Sequence, residues 1–488
     1  NEVRLSRLPD ALTESAKKHG GRIALRETGG ASVSYTEFLR RAESLADFLS
    51  RHGIGPDKRV AILFPKSIDA VIAIAATVLS GATYVPIDPE LPAERVKLLL
   101  GDSDPHALLA HADHFPSEIG SGELLPGPVY GRAAFFPTES VDTFPDLISI
   151  LYTSGSTGAP KGVCISHGNM HAFVSWALET FPLSENDHLS SLAPLHFDLS
   201  VFDIFCGLIS GCCITLFDHK TVKNARMLAK IISEENISVV YATPSLLNMI
   251  LNFGKPEKFS FEKLRLVLFA GEIFPVAQLH RLIGLWKHAR FFNLYGPTET
   301  NVCSYFEIPL PPDAERTDPY PIGKMCAHLE GNISATGELL VAGANVTPGY
   351  RNRDELNANK FTEIGGQRFY HTGDRVEKCE DGNLIYAGRI DRMIKKRGYR
   401  IEPGEVESII SGFPGVKDVA VTGAKDEEGF SLLVAFIVTA NPDVQAIHAR
   451  FMEYGPAYMI PDKVIFPDSI PKTSSGKTDY QKLEEMIR

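Results

Sequence analysis

A chain of 488 residues is too long for one simple hydrophobic core and has room for two or more domains. Its 44% hydrophobic and 22% charged residues are ordinary for a soluble globular protein. The formal charge of −11, from 60 acidic against 49 basic side chains, argues against nucleic-acid binding through a global positive field.

The start, NEVRLSRLPDALTESAKK, lacks the apolar core of a signal peptide. The first legible element is a helix at SYTEFLRRAESLADFLSR, where Ser34 and Glu37 have capping-box spacing and Phe38, Leu39, Ala42, Leu45, Ala46 and Leu49 share a face. Next come the short apolar run RVAILFP and the most apolar stretch of the chain, DAVIAIAATVLSGATYVPI. Gly81 and prolines break that stretch, so it reads as a buried helix and a strand, not a membrane span. Further runs follow at DLISILY, CCITLF, ISVVYAT, LRLVLFAG and RFFNLYG, separated by helix-length segments. Val/Ile/Leu-rich runs of this length predict buried strands of mostly parallel sheets flanked by helices. After about residue 390 the pattern changes to a basic turn (KKRGYR), a helix (GEVESIISGF), two β-rich runs (VKDVAV and FSLLVAFIV), a second helix and a closing PKTSSGKTD loop. The expected organisation is α/β: a large N-terminal domain of several subdomains over 1–390, and a small α+β domain over 391–488. The seven cysteines include no C-x-x-C pair, and Cys212 and Cys213 lie in an apolar run, which favours reduced thiols and a cytoplasmic setting.

Several strand runs end in polar or glycine-rich turns, where ligands of open α/β sheets collect. The strongest is Thr153–Gly162, TSGSTGAPKG, whose spaced glycines, small hydroxyls and lysine suit a loop that cradles phosphate oxygens. It is not a Walker A loop: from Gly155 the second glycine would fall on Pro160, and for the SSGKT at Lys477 the first would fall on Pro471.

TSGSTGAPKG, YGPTET, YHTGD, GRIDRMIKKRGYRIEPGEVE and PKTSSGKTD stand in one order and spacing across nearly the whole chain. In this the chain resembles the acyl-adenylate-forming superfamily: acyl-CoA synthetases, luciferases and the adenylation domains of nonribosomal peptide synthetases. The resemblance implies ATP binding by Thr153, Ser154, Gly155, Ser156, Thr157, Gly158, Lys161, Gly271, Glu272, Asn293, Tyr295, Asp374, Tyr386 and Arg389. Tyr295 would offer a ring to adenine, Asn293 an amide to its edge, and Asp374 a carboxylate to the ribose. Catalytic roles fall to Lys477, Thr298, Glu299 and His196, with Glu299 the Mg²⁺ ligand. Asp391 matches the hinge, about which the family's small domain rotates between adenylation and thioester formation, withdrawing the lysine and presenting the KKRGYR face.

LHFDLSVFDIF resembles the start of the substrate pocket in peptide-synthetase adenylation domains. Asp198 stands where amino-acid-activating members hold an aspartate against the substrate ammonium; its bland alternative is an N-cap for the following helix. Leu199, Phe202, Tyr241, Leu268, Ala270, Leu294, Val302 and Cys303 complete an otherwise apolar pocket, in which a one-residue shift would replace Tyr241 by Ala242. A compact apolar amino acid fits, and the set resembles L-proline-selective enzymes that supply pyrrole units to prodigiosin and pyoluteorin. The sequence contains no carrier domain, so the expected acceptor is the phosphopantetheine thiol of a separate carrier protein, docking near Lys395, Lys396, Arg397 and Arg400. No nucleic-acid or membrane partner is expected. The competing readings are an acyl-CoA ligase for a small acid, an enzyme for another small apolar amino acid, and a catalytically silent binding homologue.

Overall fold

Ser34 opens the first long helix, α1 (Tyr35–Arg51), by accepting a hydrogen bond from the Glu37 amide at 3.2 Å. The expected capping box is only half made, because the Glu37 carboxylate is held by Arg40 at 2.7 and 2.8 Å. These elements come from a computed structural model, which describes residues 5–127, 129–140, 142–155, 159–473 and 477–487.

The first sheet contains β1 (Arg59–Leu63), β2 (Thr83–Pro86), β3 (Ala107–His111), β4 (Leu147–Thr153) and β5 (Lys161–Ser166). β1, β2 and β3 pair in parallel, β2 also pairs β4 in parallel, and β5 returns antiparallel to β4. The apolar stretch splits as expected into α2 (Ile68–Leu79) and β2. α2 is buried on nearly every side, which its all-round hydrophobicity requires.

After helix α3 (His167–Thr180) comes a second, nine-stranded sheet. Its centre is parallel: β6 (His188–Ser191) lies between β7 (Cys213–Leu216) and β8 (Val239–Ala242), followed by β9 (Leu266–Ala270) and β10 (Arg290–Tyr295). β11 (Ser304–Glu307) turns back antiparallel to β10. Alternation along these strands sorts two cores. Val239, Tyr241, Leu268 and Ala270 face a cluster shared with the first sheet and with α1 and α2. Val240, Ala242, Val267 and Phe269 face a second cluster that includes helix α4 (Pro244–Phe253). The mixed α/β architecture expected from the strand runs is thus present, and the carboxyl ends of β6, β8, β9 and β10 open on one side.

A third sheet carries β12 (Glu338–Gly343), β13 (Gln367–Lys378) and β14 (Leu384–Arg389). Past Asp391 the chain forms the hairpin β15 (Ile394–Lys396) and β16 (Tyr399–Ile401), then helix α5 (Pro403–Ser411), strands β17 (Val416–Lys425) and β18 (Ser431–Thr439), helix α6 (Val444–Tyr454) and β19 (Lys463–Ile465). This smaller α+β part has its own core, built on Ile401, Val406, Val421, Leu433, Ile437 and Phe451. Among the described residues no helix is long and apolar enough to cross a membrane.

Candidate active site

β10 ends in Asn293, Leu294 and Tyr295 and turns sharply at Gly296, where a Cβ would lie 1.6 Å from the Asn301 carbonyl oxygen. Only glycine fits there, and the turn delivers Thr298 and Glu299 into the space between the sheets and the small domain. A cleft of about 650 Å³ opens beside it and gathers Gly271, Glu272, Asn293, Tyr295, Tyr386 and Arg389 from the expected nucleotide set. Asn293 donates to the Pro321 carbonyl at 2.8 Å. The Tyr295 hydroxyl donates to one Asp374 oxygen at 2.6 Å, and Arg389 donates to the other at 2.8 Å. Each oxygen keeps a second lone-pair direction for a further donor. Lys395 Nζ lies 5.4 Å from the centre of the Tyr295 ring. Glu272 accepts from the Ser245 amide and hydroxyl and from the hairpin amides of Arg397 and Gly398, so it fastens the small domain in this arrangement.

Glu299 is fully buried and well supplied with donors. Tyr350 donates to it at 2.6 Å, Arg400 Nη1 spans both oxygens at 2.9 and 3.1 Å, and Lys161 Nζ stands 3.8 Å away. Burial alone would raise this carboxyl, but Arg400 and Lys161 outweigh it and hold it well below the usual carboxylate range. Burial pushes Lys161 down to about 7, with Arg400 pushing the same way and Glu299 opposing. Of the glycine-rich turn, Ser154 Oγ donates to the Arg400 carbonyl at 2.6 Å and the Gly155 amide to Glu405 at 3.2 Å. The Thr153 hydroxyl is buried with no hydrogen-bond partner among the described residues. Ser156, Thr157 and Gly158 lie outside the described residues.

On the other side, the turn after β6 carries His196 and Asp198. Lys66 holds that turn by donating to the Ser191 and Ala193 carbonyls at 2.5 and 2.7 Å. The His196 ring sits edge-on to Phe197 at 5.0 Å, and burial lowers its pKa. Asp198 stands at the N-cap position of the following turn but makes no side-chain cap bond there. Burial lifts its pKa to about 6, while the Thr298 hydroxyl, the Leu199 amide and, least of all, Lys395 pull the other way. Leu199, Phe202, Tyr241, Leu268, Ala270, Leu294, Val302 and Cys303 all belong to the cluster between the sheets. Tyr241 pairs with Leu268 across β8 and β9, and meets the Phe202 ring edge-on at 5.6 Å. Ala242, its one-residue alternative, faces the opposite core. A void of about 20 Å³ beside Asp198 is bounded also by Thr298, Asn301, Asn345, Met170 and Phe173, and none of the eight expected apolar pocket residues lines it.

The structure leaves two expected groups away from the cleft. Lys477 is exposed on the small domain, where its carbonyl accepts from the Thr473 amide at 2.7 Å. Asp391 is gripped by Arg389 through both carboxylate oxygens. The expected docking cluster is corrected. Lys396 is buried on the Ile460 carbonyl and Asp462, both at 2.9 Å; Arg400 is buried on Glu299; Lys395 faces Tyr295. Only Arg397 of the four stays fully exposed, in a turn where it and Gly398 have φ of 53° and 81°, as a two-residue hairpin turn demands. Strand alternation sends lysines inward here, which a charge run does not reveal. Sequence reasoning also missed Lys66, Met170, Phe173, Asn301 and Asn345, which carry no motif; only adjacency to YGPTET hinted at Asn301.

Comparison with known proteins identifies residues 12–351 with the model of the AMP-binding enzymes and residues 405–477 with that of the AMP-binding enzyme C-terminal domain. An L-proline--[L-prolyl-carrier protein] ligase of Pseudomonas fluorescens is 35% identical over 482 residues, covering 93% of this chain and 94% of the relative. A ligase of the same name from Streptomyces coelicolor is 35% identical over 512 residues, covering 96% and 94%. The solved adenylation domain AlmE of Vibrio cholerae, in complex with glycyl-adenosine-5'-phosphate, superposes with a TM-score of 0.83 at 24% identity, covering 100% of this chain and 98% of that one.

Proposed function

The chain belongs to the AMP-binding enzyme family, and from that premise we propose that it activates L-proline with ATP and loads it as a thioester onto a separate carrier protein. The observation that carries the amino-acid reading is Asp198: a half-buried carboxylate beside an apolar wall, with its pKa lifted to about 6 and, of the described cations, only a weak pull from Lys395. Such a group is costly unless a ligand supplies the positive charge, and a substrate ammonium does so. The apolar walls from Leu199, Phe202, Leu294 and Val302 suit a compact apolar body, and the two relatives' names point to proline.

In the first step a carboxylate oxygen of proline attacks the α-phosphorus of ATP, and the bond to the pyrophosphate oxygen breaks. Charge grows on the phosphate oxygens, and it is offset by preorganised donors: the Gly155 amide, the Thr298 hydroxyl, Lys161 and, after rotation of the small domain about Asp391, Lys477. A buried carboxylate such as Glu299 suits Mg²⁺ held jointly with phosphate, and the bound ion would supply further charge neutralisation there. His196, two residues before Asp198 in the same turn, is the remaining catalytic candidate. In the second step the carrier's thiolate attacks the prolyl carbonyl, the bond to the AMP oxygen breaks, and AMP leaves. We place the domain junction at Asp391, giving 1–390 and 391–488. All seven cysteines are unbridged, which fits a reducing, cytoplasmic setting.

The test is ATP–pyrophosphate exchange across the common amino acids, followed by loading of a phosphopantetheinylated carrier or of free coenzyme A. L-Proline is expected to exchange fastest, and the carrier to be the acceptor. A different amino acid ahead by tenfold in kcat/KM, about 1.4 kcal/mol of transition-state binding, would overturn the substrate. Efficient transfer to coenzyme A with no carrier loading would favour the ligase alternative.

A further inference from the structure

The hairpin that carries TSGSTGAPKG is held at both ends by side chains that belong to none of the five motifs. β4 and β5 run antiparallel with Tyr152 opposite Gly162 and Thr153 opposite Lys161, so the loop leaves at Thr153 and returns at Pro160. It closes tightly: a Cβ on Gly155 would lie 1.8 Å from the Ala159 carbonyl oxygen. Just before the loop, the Tyr152 hydroxyl donates to one oxygen of Asp102 at 2.7 Å. Just after it, Arg353 Nη2 donates to the other oxygen of Asp102 at 2.6 Å and to the Pro160 carbonyl at 3.2 Å. One carboxylate therefore links the two ends. Asp102 is itself fixed, in the last turn of the helix Ala93–Ser103, where its carbonyl accepts from Arg351 Nε at 3.2 Å. The Arg351 amide donates to the Gly162 carbonyl at 2.9 Å, and its guanidinium pairs with Asp142, which also holds the fully buried Arg59 at 3.1 Å.

We propose that Asp102 and Arg353, with Tyr152, are positioning residues for the adenylating step: they set the spacing of the loop's two ends, and so where Thr153, Gly155 and Lys161 meet the phosphate oxygens of ATP. The inference rests on the proposed adenylating function. None of the three lines the nucleotide cleft or the void beside Asp198, so their effect on the reaction passes through the loop. The Thr153 hydroxyl, one residue past Tyr152, is buried with no partner among the described residues, a costly state that a phosphate oxygen would relieve. Lys161, one residue past Pro160, is buried as well, so neither group can follow a displaced ligand by swinging through solvent. A shift of about 1 Å in such groups can cost about two orders of magnitude in rate. Tyr152, Asp102, Arg353 and Pro160 all lie before Asp391, so the brace is internal to the large domain.

The experiment sets Arg353→Met, Asp102→Asn, Arg353→Lys and Tyr152→Phe beside the wild type, checks each for folding by circular dichroism, and measures the two half-reactions apart. For Arg353→Met and Asp102→Asn, kcat/KM for ATP in proline-dependent pyrophosphate exchange is expected to fall about thirtyfold, about 2 kcal/mol. KM for proline and affinity for AMP should stay within about threefold, and so should transfer from supplied prolyl-adenylate to the carrier, since none of these involves the outer phosphates. Arg353→Lys keeps a charge on Asp102 and should recover most of the loss. Tyr152→Phe should lose about threefold alone and add almost nothing to Arg353→Met, because both act through Asp102. Equal losses in exchange and in transfer, or losses that multiply in the double variant, make the brace ordinary structural support and overturn the inference. Unchanged exchange in both Arg353→Met and Asp102→Asn overturns it too. If those two fail to fold, Tyr152→Phe and Arg353→Lys decide by the same split. No exchange by the wild type with any amino acid sinks the proposed function itself.

Discussion

Glu299 and Asp198 are both acidic side chains of one site, and Thr298, which precedes the first in sequence, borders the same small void as the second. Around Glu299 stand Arg400, Lys161 and Tyr350; around Asp374 stand Arg389 and Tyr295. Around Asp198 stand a hydroxyl, a backbone amide and apolar walls. The carboxyl of Glu299 is held well below its usual range, whereas that of Asp198 is lifted to about 6. A half-site whose charges are paired within the protein holds its geometry without ligand. A half-site with one unpaired charge is incomplete until a cation arrives.

The largest effect should come from deleting the unpaired charge. Asp198→Ala is expected to lower proline-dependent pyrophosphate exchange by two to three orders of magnitude, the consequence of removing one member of a buried pair worth about 3–5 kcal/mol. ATP affinity should stay within about threefold, because the paired half does not depend on Asp198. Near-normal exchange in this variant would remove the contrast between the halves altogether.

Next in size is the pair of substitutions that uncouple the steps. Lys477→Ala should cost about two orders of magnitude in adenylation, the usual scale for one lost donor to a developing charge. Transfer from supplied prolyl-adenylate to the carrier should survive, since Lys477 is exposed and away from the cleft in the docked arrangement. Asp391→Pro should do the reverse, because proline fixes φ and restricts Ile390 before it. Equal loss of both steps in both variants would abolish the two-arrangement mechanism.

A smaller effect is the pH dependence. Asp198 has its pKa raised from 3.8 to about 6, so the ligand-free folded chain binds this proton more tightly than the unfolded one. The contribution to stability is full below about pH 4 and is lost as pH rises through about 6. Binding of a substrate ammonium runs the other way, because it needs the ionised carboxylate. At saturating ATP, kcat/KM for proline should rise about tenfold per unit below pH 6 and level off above it. Asp198→Asn should flatten that limb; a wild-type profile already flat from pH 5 to 7 would mean that Asp198 is ionised without a partner.

Much of this contrast was legible in the sequence, because both halves sit where Val/Ile/Leu-rich strands end in polar turns. The strand runs through RFFNLY and LRLVLF, and the residues of YGPTET, identified the nucleotide side. The pocket residues followed from the resemblance, and strand alternation decides Tyr241 over Ala242, since the two face different cores. What the sequence hid depends on contacts distant along the chain. Lys396 reads as surface charge but reaches Asp462; Arg400 reads as docking charge but reaches Glu299, 101 positions earlier. Asn345 and Met170 border Asp198 from other elements, and Lys66 props its turn from the start of α2. No local pattern marks such partners, because burial and pairing are set by the sheets that bring them together.

The smallest expected effect concerns the other polar group of the amino-acid half. Tyr241 lies 2% exposed at the carboxyl end of β8, and its ring packs edge-on against Phe202. No hydrogen bond of its hydroxyl to a described residue is present in the ligand-free chain, so its contribution is the wall it makes more than the oxygen it carries. Tyr241→Phe keeps that wall. Losing one neutral hydrogen bond to a bound substrate costs about 0.5–1.5 kcal/mol, so kcat/KM for proline should fall by no more than about tenfold. Selectivity against larger amino acids should hold, because the volume is unchanged. Tyr241→Ala, by contrast, opens the wall and should admit larger side chains, a change of about 1–3 kcal/mol in discrimination. Measuring proline and a larger ring side by side on both variants separates the two roles. If Tyr241→Phe lost as much activity as Asp198→Ala, the amino-acid half would run on two polar anchors, and the contrast with the charge-paired nucleotide half would need redrawing around the Tyr241 hydroxyl.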